Sequence, residues 1–343
     1  DTMTRETTKI SRLSYFYTQV GVIWQYIRMF FIPTGLHLDH DVAVLMQANA
    51  KVIAAITGHF LLIITGIVLI KKYPLLSFSI FFYYTAHLVE SSIIPIRDVF
   101  FEHRTYLPNF GLCLFTGTLL LKIPSRWISE KLLFIPLLLL IILLAQITWA
   151  RNEIWRDPIR LWRDSAEHAP NKERPWNELG KYLLTAGRLD EAIEVLVETA
   201  KSRGSNTAED NSNLGYKPSE EASVNLMMAL SQRGETELAF EIADTFLKRT
   251  DISRLNRSKM LTNKGNLYAH SGDMQNAEKC YKQAVKVFPK NIMPRNNLGI
   301  LYMIEERYDE AERAFMHVLN IDSNFALSRE KLQEVRKLKS GKK

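Results

Sequence analysis

The sequence predicts an all-α protein in two parts, a partial polytopic membrane helical domain followed by an α-solenoid of helical repeats. Three observations predict this. Up to about Trp149 the chain is dominated by Leu, Ile and Phe, whereas after Arg151 it is charged and Ala-rich. Four apolar segments in the first part approach membrane-crossing length. Four windows in the second part share one spacing of small residues, and the step from Ala277 to Ala311 is 34 residues. The 343 residues, 47% of them hydrophobic, suffice for about two domains. Their hydropathy averages near zero, which hides two unlike halves, so each is read separately. The expected division is an extracytoplasmic or interfacial segment over 1–51, a membrane domain with about four transmembrane helices over 52–150, and a repeat solenoid over 151–340.

In chain order, "VGVIWQYIRMFFIPTG" is too short and interrupted to span, and reads as an interfacial or re-entrant helix. Val52 to Ile70 gives 19 residues without a formal charge, closed by Lys71 and Lys72. A second span is expected from about Leu75 to Ile96, a short third from about Asn109 to Leu121, and a fourth from Leu132 to Ala150. Two short loops are basic, Lys71-Lys72 and the loop carrying Lys122, Arg126 and Lys131. Four spans place both loops on one side, and the positive-inside rule makes that side cytoplasmic. Residues 1–51, the turn around Arg104 and everything after Arg151 then lie outside. Net charge is +7, but no basic stripe carries interleaved aromatics, so a nucleic-acid partner is not expected. The two cysteines, Cys113 and Cys280, fall in different parts and predict no disulfide.

In the second part, windows starting at Trp176, Val224, Leu261 and Arg295 each read as helix, turn, helix. Ala192, Ala239, Ala277 and Ala311 let the second helix pack closely; Gly187, Gly234 and Gly272 mark the turns, and Glu306 replaces glycine in the last. The period, with Trp176, Leu179 and Gly180 in a W-x2-L-G pattern, is that of tetratricopeptide repeats. A partial unit, Trp155 to Pro170, precedes them, and "FALSREKLQEVRKLK" reads as a capping helix. Such an array binds extended peptide or protein. Asn177, Lys181, Asn263, Asn266, Asn296 and Asn297 lie on first helices, where they would clamp a peptide backbone or simply face solvent.

Three charged constellations stand out. Glu102, His103 and Arg104 sit in a short turn between apolar segments, with Tyr106 just beyond. They read either as a solvated interfacial turn, or as a site where Arg104, backed by His103, forks onto the phosphate of a lipid-linked donor. His37, Asp39, His40 and Asp41 place two imidazoles and two carboxylates within five residues. A divalent metal is one use of such a set; a polar turn packed on neighbouring loops is the blander and favoured one, and a carboxylate acting as general base is a third. His87 and Glu90 share a helix face and read as a structural pair, and His59 is expected to face neighbouring helices. Phosphate-cradling glycine loops, serine elbows and HExxH are absent from the sequence.

"SSIIPIRDVFFEHRTYLPNFG", followed by apolar spans and the repeats, resembles the transmembrane and tetratricopeptide-repeat O-mannosyltransferases and their bacterial relatives, which look like GT-C glycosyltransferases. The E-x-R-x-YLP-x-x-G pattern is carried by Glu102, Arg104, Tyr106, Leu107, Pro108 and Gly111, and "FIPTGLHLDHDV" adds to the likeness. The resemblance implies a polyprenyl-phosphate-linked sugar as donor and protein hydroxyls as acceptor. It also implies repeats facing the periplasm, in preference to the endoplasmic reticulum lumen. Donor-phosphate or lipid contacts would fall to Arg104, His103, Glu102 and Tyr106. The family's catalytic acidic residues sit in a first outer loop of N-terminal helices. This sequence lacks that part and is expected to be the C-terminal portion of such an enzyme. A non-enzymatic, membrane-anchored repeat scaffold is the alternative.

Overall fold

The computed structural model describes residues 10–88, 91, 94–96, 99–122, 130–202 and 219–341. Among them the elements are helical, with no β-strand. The chain divides into two compact units, the boundary falling between Leu179 and Gly180.

The first unit opens with α1, Arg12–Phe31, capped by Ser11, whose hydroxyl accepts the Ser14 N–H at 3.1 Å. The expected interfacial stretch is thus the end of a 20-residue helix, whose inner face buries Tyr15, Val22 and Tyr26. Helix α2, Ala50–Leu69, starts at Asn49, which accepts from the Val52 N–H at 3.0 Å. Helix α3, Pro74–His87, is 14 residues and α4, Tyr106–Leu121, is 16. At 1.5 Å per residue they cover roughly 21 and 24 Å, less than the ~30 Å of a hydrocarbon core. The second span was expected to run on to Ile96, but its helix ends before the β-branched, proline-bearing "SSIIPI". Glu90, the partner expected for His87, lies outside the described residues, as does the Arg126 turn.

Helices α3 and α4 run antiparallel. Gly111 of α4 meets α3 so closely that an added Cβ would lie 2.8 Å from the Ser79 carbonyl oxygen. At the far end of this pair Lys72 and Lys122 both reach the Tyr73 ring, at 5.4 and 4.2 Å, so the two basic turns share one end of the bundle. The chain direction puts Arg104 at the other end. Helix α5, Glu130–Trp155, exposes Phe134 to Leu144 along its length. By length and composition, α2 and Phe134–Trp155 are the two described helices able to cross a membrane. Helix α6, Pro158–His168, follows, capped by Asp157.

The interior of the α1–α4 bundle is polar as well as apolar. His59 is pinned between Val20 O and the Tyr84 hydroxyl, both at 2.9 Å, and stacks on Trp24, so it does face neighbouring helices. His87 stacks on Tyr26 with ring centroids 5.4 Å apart.

The second unit holds the helical pairs. Helix α7, Glu173–Thr185, straddles the unit boundary and pairs with α8, Leu189–Ser202. Then come α9, Glu220–Arg233, with α10, Thr236–Lys248; α11, Arg254–His270, with α12, Met274–Val287; and α13, Met293–Ile304, with α14, Tyr308–Ile321. Helix α15, Ala326–Gly341, ends the array and packs on α14.

Each turn inside a pair closes alike. Gly187, Gly234, Gly272 and Glu306 all take positive φ, Glu306 at 57°, and the next residue's N–H returns to the first helix. Three pairs set a first-helix glycine against a large side chain on the second: Gly180 on Leu196, Gly265 on Tyr281 and Gly299 on Phe315. The second pair reverses the sizes. Met227 stands at the glycine position and Ala243 opposite, both fully buried, which keeps the summed volume roughly constant.

Candidate functional site

The structure brings two of the three charged constellations together. Residues 99–101 run extended beneath α1, held by Gln19, whose Nε2 donates to Val99 O at 2.8 Å, and by Tyr26, whose hydroxyl accepts the Phe101 N–H at 3.1 Å. This anchors a 3-10 turn, Glu102–Thr105, that leads into α4. Glu102 Oε1 then accepts the backbone N–H of His37 at 2.6 Å and lies 2.8 Å from His40 Nε2. One carboxylate therefore ties the 37–41 loop to the turn that carries Arg104. Sequence spacing gave no hint of this, because 65 residues separate His37 from Glu102.

The turn sorts its side chains by burial. Arg104 is buried, its guanidinium 5.4 Å from the Phe101 ring centroid. His103 is exposed, and Tyr106 is 89% exposed, pointing away from the cluster. Of the four donor-contact candidates, Glu102 and Arg104 are thus built into the protein, Tyr106 faces outward, and His103, though exposed, sets its ring 5.0 Å from that of Phe101.

The 37–41 loop is equally ordered. Asp39, 2% exposed, pairs with Lys172 Nζ at 2.6 Å and Arg174 Nε at 3.0 Å. His37 lies between two other imidazoles, with ring centroids 3.8 Å from His40 and 5.2 Å from His168. Burial, with the neighbouring His40 and His168, pushes His37 down to about 4. It is therefore neutral at physiological pH. Arg151 binds Asp164 at 2.7 Å beside His168. Asp41 is exposed. The described residues hold no group of three or more His, Cys, Asp or Glu arranged to take a metal ion. Asp39 is engaged with Lys172 and Arg174, and Glu102 with the histidine loop. Lys172, Arg174, His168 and Phe101 were not singled out by the sequence pattern; they belong to this cluster only through the fold.

In the repeats, Asn266 Oδ1 accepts from both Asn297 Nδ2 and the Tyr281 hydroxyl at 2.8 Å. This side-chain ladder joins α11 to α13. Asn296 is 1% exposed and bonds Ser328 of α15 at 2.9 Å, so it holds the cap in place. Asn177 is buried as well, Asn263 is half-buried and Lys181 is exposed. Arg307 gathers Glu278, Glu305 and Glu310 at 3.1, 2.7 and 2.6 Å and stacks on Tyr302. The Arg307 hydrogen bond holds the Glu278 carboxyl down at about 2.

Comparison with known proteins finds similarity in the repeats and, at low identity, over about two thirds of the chain. A tetratricopeptide repeat family model matches residues 256–324. Protein O-mannosyl-transferase TMTC3 of Mus musculus is 21% identical over 255 residues, covering 70% of this chain and 26% of its own length. Protein O-mannosyl-transferase TMTC2 of Homo sapiens is 27% identical over 269 residues, covering 66% of this chain and 32% of its own. The chain thus spans about a quarter to a third of the length of these curated relatives. Among solved structures, TTC0263, a thermophilic tetratricopeptide protein of Thermus thermophilus, is 17% identical and covers 52% of this chain and 88% of its own, with a TM-score of 0.43. The chain carries a tetratricopeptide repeat domain and has low-identity similarity to O-mannosyl-transferases.

Proposed function

We propose that this chain is part of an integral-membrane, GT-C-like glycosyltransferase that moves a sugar from a polyprenyl-phosphate donor to protein hydroxyls, with the repeats holding the acceptor or a partner protein. The observation that carries it is the buried Arg104, set on a turn that Glu102 locks to the histidine loop, at the end of the α3–α4 pair away from Lys72 and Lys122. A guanidinium prearranged in a water-poor site binds phosphate oxygens and stabilises the charge that builds on a departing phosphate. In the transfer, the bond from the anomeric carbon to the phosphate oxygen breaks and its electron pair leaves with the polyprenyl phosphate. The acceptor oxygen bonds that carbon and gives its proton to a base. The resemblance to O-mannosyltransferases makes that base an acidic residue. Basic turns on the cytoplasmic side leave Arg104 and the repeats together on the extracytoplasmic, periplasmic side.

The scaffold reading is favoured by one observation: the repeat domain is the part that a family model matches, and such arrays bind protein. One experiment separates the two. Arg104→Ala in the full-length protein is expected to abolish sugar transfer while membrane insertion and repeat folding persist. Transfer at the wild-type rate would remove Arg104 from the reaction and leave the scaffold.

A further inference from the structure

The α1–α4 bundle holds a cavity of about 190 Å³, walled by Trp24 and Ile27 of α1, Leu62 of α2, Tyr84 of α3, and Leu112 and Phe115 of α4. The polar atoms of its lining are spent on protein partners. Ser79 Oγ donates to Leu75 O at 2.7 Å, Trp24 Nε1 to Ala55 O at 3.1 Å and the Tyr83 hydroxyl to Ile23 O at 3.2 Å, and the Tyr84 hydroxyl bonds His59 at 2.9 Å. The surface left to an occupant is apolar. Such a cavity offers water no partners and takes hydrocarbon; a sugar would strand its hydroxyls there. Its place in the bundle narrows the choice of hydrocarbon. At 1.5 Å per residue, Leu112 and Phe115 lie roughly 9 and 14 Å along α4 from Tyr106, where the Arg104 turn ends. Packed rings join the two places: Tyr83 meets His87 at 4.7 Å, His87 stacks on Tyr26 at 5.4 Å, and the Tyr26 hydroxyl accepts the N–H of Phe101, the ring beside Arg104. A cationic turn and a dry apolar cavity a short way along the same bundle suit the head and tail of one amphiphile.

We propose that this cavity seats the prenyl chain of the polyprenyl-phosphate donor. This rests on the transferase reading for the phosphate at Arg104 and deepens it, by giving the hydrocarbon end of the same substrate its own site. Leu112 and Ile27 then set how much of the chain enters, one from α4 and one from α1.

The test uses full-length protein in detergent and measures binding of three probes: undecaprenyl phosphate, dimethylallyl phosphate, whose single isoprene unit is too short to reach the cavity, and the acyl lipid phosphatidylglycerol. Leu112→Trp, which fills the cavity, is expected to weaken undecaprenyl phosphate about tenfold, the scale of a couple of methylene groups kept out, and to leave the other two unchanged. Ile27→Trp fills the same space from α1 and is expected to do the same. Leu112→Met keeps the volume and is expected to bind like wild type. Wild-type binding of undecaprenyl phosphate by either filled, folded variant, while Arg104→Ala loses both prenyl phosphates, would overturn the chain site and leave the donor reading intact. Wild-type binding of both by Arg104→Ala would overturn the donor reading and the chain site with it. An equal loss for the two prenyl phosphates, or the same loss in Leu112→Met, would mark these positions as structural and overturn the proposal. An equal loss for phosphatidylglycerol would make the cavity a seat for any lipid chain and overturn it too.

Discussion

The two units differ in what they expose and in how much polarity they bury. In the first, α2 and α5 turn Ile53, Phe60, Val68 and Leu139 outward, while Thr18, Gln19, His59 and His87 are buried. In the second, Leu196, Met227, Phe315 and Val318 fill the inside, and the ion pairs lie at the rim. The difference goes with α2 and α5, the two described helices long and apolar enough to cross a membrane. Apolar side chains gain nothing by leaving lipid, so helices there associate through close small-residue packing and polar contacts. In water the repeats gain by burying those same side chains. Gly111 against the Ser79 carbonyl and Gly299 against the Phe315 ring look alike as contacts, yet one meets backbone and the other a side chain.

The sharpest way to break this contrast is to exchange a charged and an apolar side chain on each surface. Leu139→Lys, on the exposed face of α5, is expected to cost about 3 kcal/mol in membrane insertion. Lys290→Leu, on the exposed surface of the repeats, is expected to stay within about 0.5 kcal/mol in thermal unfolding. A neutral outcome for Leu139→Lys would mean that α5 does not face lipid.

Next come the glycines. Gly111→Ala meets backbone and is expected to cost about 3 kcal/mol, read as loss of the α3–α4 pair in detergent melting. Gly299→Ala meets only a side chain, and its gain in helix propensity offsets part of the clash, so about 2 kcal/mol is expected for the repeats. Equal costs would show that the Phe315 ring is as immovable as the α3 backbone.

The last effect is in acid. The unfolded chain takes a proton on His37 below about 6.5, whereas the folded site resists until about 4. That contribution is whole above 6.5 and is lost as pH falls to 4. Glu278 behaves alike in a lower window: its contribution is whole above 4.5 and is lost as pH falls towards 2. Region-resolved hydrogen exchange should show the 37–41 loop loosening before the Arg307 cluster, with His37→Gln flattening only the upper window. The reverse order would contradict both environments.

How much of this was legible in the sequence follows from the range of the interactions involved. The repeats announce themselves because each turn and each Gly–aromatic contact is local and recurs; even the exception at Glu306 was visible as a missing glycine. The helices of the first unit were legible as apolar runs, but their ends were not. Helix α1 begins outside the apolar stretch, at a Ser11 cap, and α3 stops at His87 although its apolar character runs on. The site was half legible. Arg104 stood out as a charge between apolar segments and Asp39 as part of a His/Asp cluster, but Lys172 meets Asp39 across 133 residues of sequence, and no local pattern encodes that. The asparagines show the opposite failure: a first-helix position does not say which face it occupies, so buried Asn296 and half-buried Asn297 read the same.

Sidedness is the claim on which a shared reaction depends. Single cysteines replacing His103 in the turn, Lys290 in the repeats and Lys72 in the basic turn, in full-length protein lacking Cys113 and Cys280, can be probed in intact cells with a membrane-impermeant maleimide. Labelling at 103 and 290, with 72 labelled only after lysis, is the expected result. Labelling of 103 and 290 from opposite faces of the membrane would contradict it, since no donor held at Arg104 could then reach an acceptor held by the repeats.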